Sequence, residues 1–250
     1  MMVFKSLRFL YRGLKAQYRD QKIEIQLLTK HLKPNQTVLD IGANKGSYLP
    51  SLSRAVPHGQ VYAFEPQPSL AAYLTRICKV TQLTNVTVEP FACSDIASER
   101  TLYVPGDKET SPGASLESIV TASKHTTSVL VQSITLDEYF ANKDYDIGAM
   151  KLDVEGHEFK VLQGSLNIIK QYTPLIICEC EQRHQTDKTV SEIVNFVSSL
   201  HYRGFLITRK KLLPISEFDP VIHQRQVGER YWDQPDYFNN FVFFPNLEVH

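Results

Sequence analysis

Residues 37–46, TVLDIGANKG, constrain this chain more than any other stretch. A short apolar run ends in a carboxylate, Asp40, and passes straight into a loop bearing Gly42 and Gly46 before a helix-forming pattern begins. Glycine permits positive φ and lets the backbone approach a ligand closely. A strand, glycine loop and helix in this order belong at the carboxyl edge of a parallel sheet, where open α/β folds bind their ligands.

The rest of the sequence agrees with that placement. Apolar runs of strand length at 37–41, 60–64, from 85, 147–152, 175–180, 204–208 and 240–244 alternate with helical patterns at 23–32, 48–55, 69–79, 158–169 and 190–200. Such alternation predicts an α/β fold: a seven-stranded, mostly parallel sheet with helices on both faces. Additional strands are expected at 100–104 and 129–134, and a short helix at 136–140. Residues 105–127, rich in Ser, Thr, Gly and Pro, read as the most mobile segment.

Composition narrows the function classes. With 27 basic and 27 acidic residues among 250, the chain lacks the basic excess of a dedicated nucleic-acid binder. A content of 42% apolar and 22% charged residues excludes disorder and a membrane bundle. No apolar run approaches the ~18 residues of a membrane span. Lys5, Arg8, Arg12 and Lys15 interrupt the apolar stretches near the N-terminus, so no signal-peptide core is expected. Four cysteines, two of them alternating in one apolar strand, read as small buried hydrophobes in a reducing, cytoplasmic setting.

Charge is nevertheless unevenly spread. Residues 1–22 hold six basic side chains against the single acid Asp20, while Phe4, Leu7, Tyr11, Leu14 and Tyr18 recur at helical spacing. A basic amphipathic helix of this kind packs across a domain or a partner, or lies on anionic lipid.

Chemistry-bearing residues gather at the predicted strand ends. Glu65, in Phe64-Glu65-Pro66, follows Gly42 by 23 residues, where an acid accepts ribose hydroxyls. Gly42-x-x-x-Gly46 is not the GxGxxG of a pyrophosphate binder, and Asp40 suits a cationic amino group, so S-adenosylmethionine fits better than a phosphate-rich ligand. At the fourth strand's end lies Asp153-Val154-Glu155-Gly156-His157-Glu158. Asp153, nearest the strand tip, is the first choice for a general base or substrate-orienting group, with His157 the alternative base. Glu155 and Glu158 also read as caps of the following helix. Glu179 and Glu181 share one face of the fifth strand's end and, with Asp153, have the oxygen chemistry of a Mg²⁺ site, although no metal ligands are assigned. His184 follows in a polar loop.

The motifs DIGANKGSY at 40–48, FEP at 64–66, NVTVEPFACSD at 85–95, SITLDEYF at 133–140, MKLDVEGHEFKVLQGS at 150–165, LIICECE at 175–181 and NFVFF at 240–244 together resemble the FkbM family of S-adenosylmethionine-dependent methyltransferases. The resemblance covers most of residues 37–245 and leaves the leader and 209–238 uncovered. It implies a Rossmann-like class I methyltransferase fold with an antiparallel last strand, and O-methylation of a sugar, glycan or secondary metabolite. It also implies Asp40, Gly42, Asn44 and Gly46 at the methionine end of the cofactor, Glu65 on the ribose, and Ala92 to Asp95 beside the adenine, with Asp95 equally a turn cap. Residues 1–32 would then be a leader and 33–250 the methyltransferase domain, with insertions 105–127 and 209–238 shaping the acceptor pocket. The expected partners are a small-molecule or glycan acceptor, no nucleic acid, an anionic membrane surface touched by residues 1–22, and a second copy in a homodimer. The alternatives are a nicotinamide-dependent oxidoreductase and a non-catalytic cofactor-binding module.

Overall fold

The computed structural model describes residues 2–106, 109–118, 125–142 and 145–246. The strands in chain order are β1 (Thr37–Ile41), β2 (Gln60–Phe64), β3 (Val86–Glu89), β4 (Ala92–Cys93), β5 (Ser98–Pro105), β6 (Thr126–Ile134), β7 (Ile147–Leu152), β8 (Leu175–Glu179), β9 (Tyr202–Ile207), β10 (Leu212–Pro214) and β11 (Asn240–Pro245). The helices are α1 (Met2–Lys15), α2 (Lys22–His31), α3 (Leu49–Ala55), α4 (Pro68–Val80), α5 (Leu136–Phe140), α6 (Glu158–Gln163), α7 (Leu166–Tyr172), α8 (Val190–Ser199) and α9 (Pro220–His223). A π-helical turn, Ala16–Asp20, joins α1 to α2.

The main sheet runs β10-β9-β11-β8-β7-β1-β2-β3. Its central strands pair in parallel, and β11 lies antiparallel between β8 and β9. The seven expected strands are all present. An eighth, β10, extends the edge because Leu212 and Leu213 pair back onto Ile207 and Leu206 across a tight turn. Alternation along β1 sends Leu39 and Ile41 into one apolar cluster, with residues of α6, α7 and α8, and Val38 into another, with residues of α2, α3 and α4. Helices therefore cover both faces, as parallel sheets require. A separate sheet, β4-β6-β5, closes over a small core of its own around Leu102, Val104 and Val131.

Two sequence expectations change. The helix expected over 158–169 breaks into α6 and α7 at Gly164, where a Cβ would lie 1.9 Å from the Ser94 carbonyl oxygen. Close backbone contact with the turn after β4 needs glycine there, and glycine weakens a helix. The stretch 1–32, set apart from the domain as a leader, shares the domain's core, because Phe9, Ala16, Ile25, Leu28 and Leu32 belong to the same cluster as Val38 and Leu49. The face of α1 that packs inward is Phe9, Gly13 and Ala16, whereas the expected apolar stripe is exposed, from Leu14 at 50% to Phe4 at 79%.

That orientation yields the first prediction. Phe9→Ala removes a fully buried ring and should destabilise the protein by about 3–5 kcal/mol. Leu7→Ala, on the opposite face, should stay within about 0.5 kcal/mol. Urea midpoints at unchanged slope read both, and equal effects would reverse the assignment of faces.

Candidate active site

The carboxyl ends of β1, β2 and β7 are stitched together through backbone. Gly42 adopts φ +79°, and a Cβ on it would sit 1.8 Å from the Asp153 carbonyl oxygen. Gly42 and Ala43 both donate N–H to the Phe64 carbonyl at 3.0 Å, and Asp153 donates to Ile41 at 3.0 Å. Asn44 turns left-handed, at φ +48°, and its N–H donates to Glu65 Oε2 at 2.7 Å. Glu65 Oε1 accepts the Gln67 N–H at 2.8 Å. Burial nonetheless outweighs these donors and pushes the Glu65 carboxyl up to about 7.

Two cavities open on this edge. One, of about 550 Å³, is walled by Gly42, Asn44, Glu65, Phe91, Ala92 and Ser115, with Asp153 and His157 at its side. The other, of about 660 Å³, is walled by Arg12, Gln21, Tyr48, Lys151 and Glu179. Gly42, Asn44, Pro112 and Asp153 line both, so Asp153 stands where the two cavities meet.

Beneath that junction sits a buried lysine. Lys151 is the register neighbour of Asp40 across β1 and β7. Its Nζ lies 3.5 Å from Asp40 Oδ1, 3.2 Å from Asp153 Oδ2 and 3.2 Å from the Gly42 carbonyl, and 5.2 Å above the Tyr48 ring. Burial works against its charge, but Asp153, Asp40 and Glu179 hold its pKa above the ordinary lysine value. Asp40 receives no hydrogen bond on either buried oxygen, and burial raises its pKa despite Lys151. Glu179 is also pushed well up, by burial first and then by Asp153, Glu155 and Glu181. Carboxylates outnumber cations here, which favours a positively charged ligand.

Of the sequence-predicted residues, Gly42, Asn44, Glu65, Ala92, Asp153 and His157 reach the first cavity. Asp40 does not; it lies one layer beneath and acts through Lys151. Gly46 faces away, where a Cβ would press on Leu74, Leu49 and Phe9, so it is required for packing. Asp95 also misses the cavity: it accepts a hydrogen bond from Ser94 and lies 4.0 Å from Arg100. Both ring nitrogens of His157 are occupied, Nδ1 by Glu117 at 2.7 Å and Nε2 by Ser94 at 2.9 Å. The Glu117 carboxyl is held down at about 2, chiefly by that His157 contact. His157 is thus clamped in place, whereas 29% of the Asp153 side chain stays open.

Glu155 meets His184 at 2.8 Å, and Glu158 turns back to accept the Gly156 N–H at 3.0 Å, a bond that lies ahead of the helix and so is not the cap expected of it. Asn239 bridges Glu179 and Glu181, and Glu181 also takes Arg183 and Tyr237. No group of side chains among the described residues is arranged to hold a metal ion. The described part of 105–127 is pinned over the cavity by Ser111 N–H to Gln67 at 2.9 Å and Ser115 hydroxyl to the Glu155 carbonyl at 2.6 Å. Residues 107–108 and 119–124 of that segment lie outside the described residues.

Sequence reasoning gave Lys151, Glu117 and the left-handed turn at Asn44 no role. A lysine inside the apolar run IGAMKL was itself a signal, since a buried ammonium requires buried acids. Glu117 gave none, as only the folded loop brings it to His157.

The model of the methyltransferase FkbM domain matches residues 40–206. No curated protein matches the chain in sequence. A methyltransferase FkbM from Methylobacillus flagellatus KT aligns with a TM-score of 0.54 at 15% identity, covering 96% of this chain and 55% of that one. This chain therefore spans about half the length of that protein. An rRNA methylase from Streptococcus thermophilus aligns at 0.50 with 11% identity, covering 90% and 95%. The shared feature is the class I methyltransferase fold.

Lys151 supplies the second prediction. Lys151→Met strands buried Asp40 without its cation and should cost about 3–5 kcal/mol. Adding Asp40→Asn should recover part of that loss. In the single variant the acids need protons to stay buried, so the folded state binds more protons than the unfolded one. Its stability should therefore rise as pH falls from 8 toward about 5, the direction that raised carboxylate pKa values dictate. Calorimetric melting across pH checks both, and a variant as stable as the parent at pH 8 would show that Lys151 carries no such burden.

Proposed function

The chain belongs to the FkbM methyltransferase family, and from that premise we propose that it methylates a hydroxyl of a sugar, glycan or secondary-metabolite acceptor, with S-adenosylmethionine as donor. The observation that carries this reading is the position of Asp153 at the meeting point of two cavities, one walled by Glu65, Phe91 and Ala92 and the other by Arg12, Gln21 and Tyr48. The surplus of buried carboxylates around Lys151 supports a cationic donor and disfavours a pyrophosphate-bearing one.

When bound, S-adenosylmethionine supplies an electrophilic methyl group on a positively charged sulfur. Glu65 would accept the ribose hydroxyls, since it lines the first cavity and each carboxylate oxygen accepts only one backbone N–H. Phe91 and Ala92 offer an apolar wall for the adenine, and the Gly42–Asn44 backbone lines the methionine end. Asp153 accepts the acceptor's hydroxyl proton as the oxygen–methyl bond forms and the sulfur–methyl bond breaks, and releases the proton to water afterwards. Lys151 and the Asp153 N–H to Ile41 fix that carboxylate in position. Tyr48, Arg12 and Gln21 form the acceptor's wall.

Glu65→Ala removes a charged hydrogen-bond acceptor worth roughly 1.5–3 kcal/mol, so S-adenosylmethionine should bind about ten- to a hundredfold more weakly. Because ribose hydroxyls donate to the ionised form, parental affinity should strengthen as pH rises through about 7, and that dependence should vanish in Glu65→Gln. Titration calorimetry in a folded variant with undiminished affinity would remove the ribose role.

Chemistry is tested with methyl-labelled S-adenosylmethionine offered to glycan and metabolite extracts. Label resistant to mild alkali marks an ether, whereas a carboxyl methyl ester would release it. Asp153→Asn should lower kcat by about 10²- to 10⁴-fold with cofactor affinity little changed. A fully active Asp153→Asn beside an inactive, folded His157→Ala would move the base to the imidazole.

A further inference from the structure

We infer that the N-terminal helical segment is a membrane-docking element which lays its outer face on anionic lipid. Six of the thirteen exposed large apolar side chains among the described residues, Phe4, Leu7, Leu10, Tyr11, Leu14 and Tyr18, fall within residues 4–18. At about 100° per residue, five of these form one stripe opposite Phe9, Gly13 and Ala16, the residues that pack inward. An ordinary surface helix turns its apolar stripe to the core; here the stripe points away from it.

The rotation is built in. A Cβ on Gly13 would lie 2.8 Å from Pro50, so the helix sits on α3 too closely to carry a side chain there. Phe9 fills the core beside Gly46, and Arg12 donates to the Lys45 carbonyl at 3.0 Å. Turning the apolar stripe inward would break all three contacts.

Charge selects the occupant. Lys5, Arg8, Arg12, Lys15 and Arg19 follow one another along one flank of the stripe, and Asp20, which pairs with Lys15 and Arg19, is the only acid in the segment. The chain as a whole is neutral, so the remainder carries the opposite excess. Apolar and aromatic side chains beside a basic band match the acyl and headgroup layers of an anionic bilayer. No helix among the described residues is long and apolar enough to cross a membrane, so the contact is peripheral. Arg12 and Gln21 also wall the acceptor-side cavity, so docking brings that cavity to the lipid surface.

The test is sedimentation of the full chain with phosphatidylglycerol–phosphatidylcholine vesicles and with pure phosphatidylcholine vesicles. The parent should bind the anionic vesicles and ignore the neutral ones. Binding should fade with salt, as the screening length falls from about 10 Å at 0.1 M to about 3 Å at 1 M. Leu7→Glu/Tyr11→Glu should lower the partition coefficient at least tenfold, and Arg8→Glu severalfold, a basic residue near the surface being worth about fivefold. Both variants touch only exposed side chains, so circular dichroism and S-adenosylmethionine binding should match the parent. A parent that ignores anionic vesicles at low salt would overturn the inference, as would a double variant that still binds. So would a parent dimer that the double variant converts to monomer without any vesicle binding, which would make the stripe an interface between copies.

Discussion

One missing carbon atom at position 42 sets the geometry of the whole carboxyl edge. With no Cβ on Gly42, the Asp153 carbonyl occupies the space where that atom would be, and the β1 and β7 loops close to backbone contact. That approach permits the Asp153 N–H to reach Ile41 and the Lys151 ammonium to reach the Gly42 carbonyl. Asp153 is thereby set against both cavities. Any side chain at residue 42 would push the loops apart and separate Glu65 from Asp153. The positive φ there adds a second reason for glycine.

Electrostatics builds on that closure. Asp40 and Lys151 are side-by-side residues of two buried parallel strands, and burying such a pair gains little over apolar packing unless its remaining valences are met. Here they are not: Asp40 keeps two unbonded oxygens, and Glu179 and Asp153 add further negative charge around one ammonium. An arrangement of this kind is poor for stability and good for recognition, since a cationic ligand supplies what the protein withholds. The clamp on His157 has the opposite character. Glu117 and Ser94 satisfy both nitrogens, so this ring organises the loop covering the first cavity and has no lone pair directed at it.

The central fold was legible because parallel strands buried on both faces read as near-continuous apolar runs, as β1, β2, β7 and β8 do. The place of Glu65 and Asp153 was legible for a related reason: an acid closing such a run lies at the carboxyl end of its strand. The misreadings each have a physical cause. Gly46 and Asp40 stand in the same loop motif as Gly42 and Asn44, and linear spacing does not distinguish a residue lining a cavity from one packed just behind it. Asp95 lies two residues past β4, where the chain has already turned toward α6. The break at Gly164 depends on the Ser94 carbonyl, 70 residues away, which no local propensity encodes. The orientation of α1 stayed open because periodicity locates an apolar stripe without saying what it faces.

The orientation of α1 and the position of the Gly42–Gly46 loop are one structural fact. Gly46 has no side chain because Phe9 of α1, with Leu49 and Leu74, fills the space beside it, and Lys45 presents its carbonyl to Arg12 one turn further along the helix. The inner face of the helix therefore supports the loop from behind while its side wall bounds the second cavity. Phe9, Arg12 and Gly13 lie within five consecutive residues, so together they fix both the height and the rotation of the helix. A sequence that changed these residues to favour inward burial of the apolar stripe would lose the support of the Gly42–Gly46 loop at the same time. The outward stripe is thus a consequence of how the loop is held, and it persists whether or not a ligand or a surface is present.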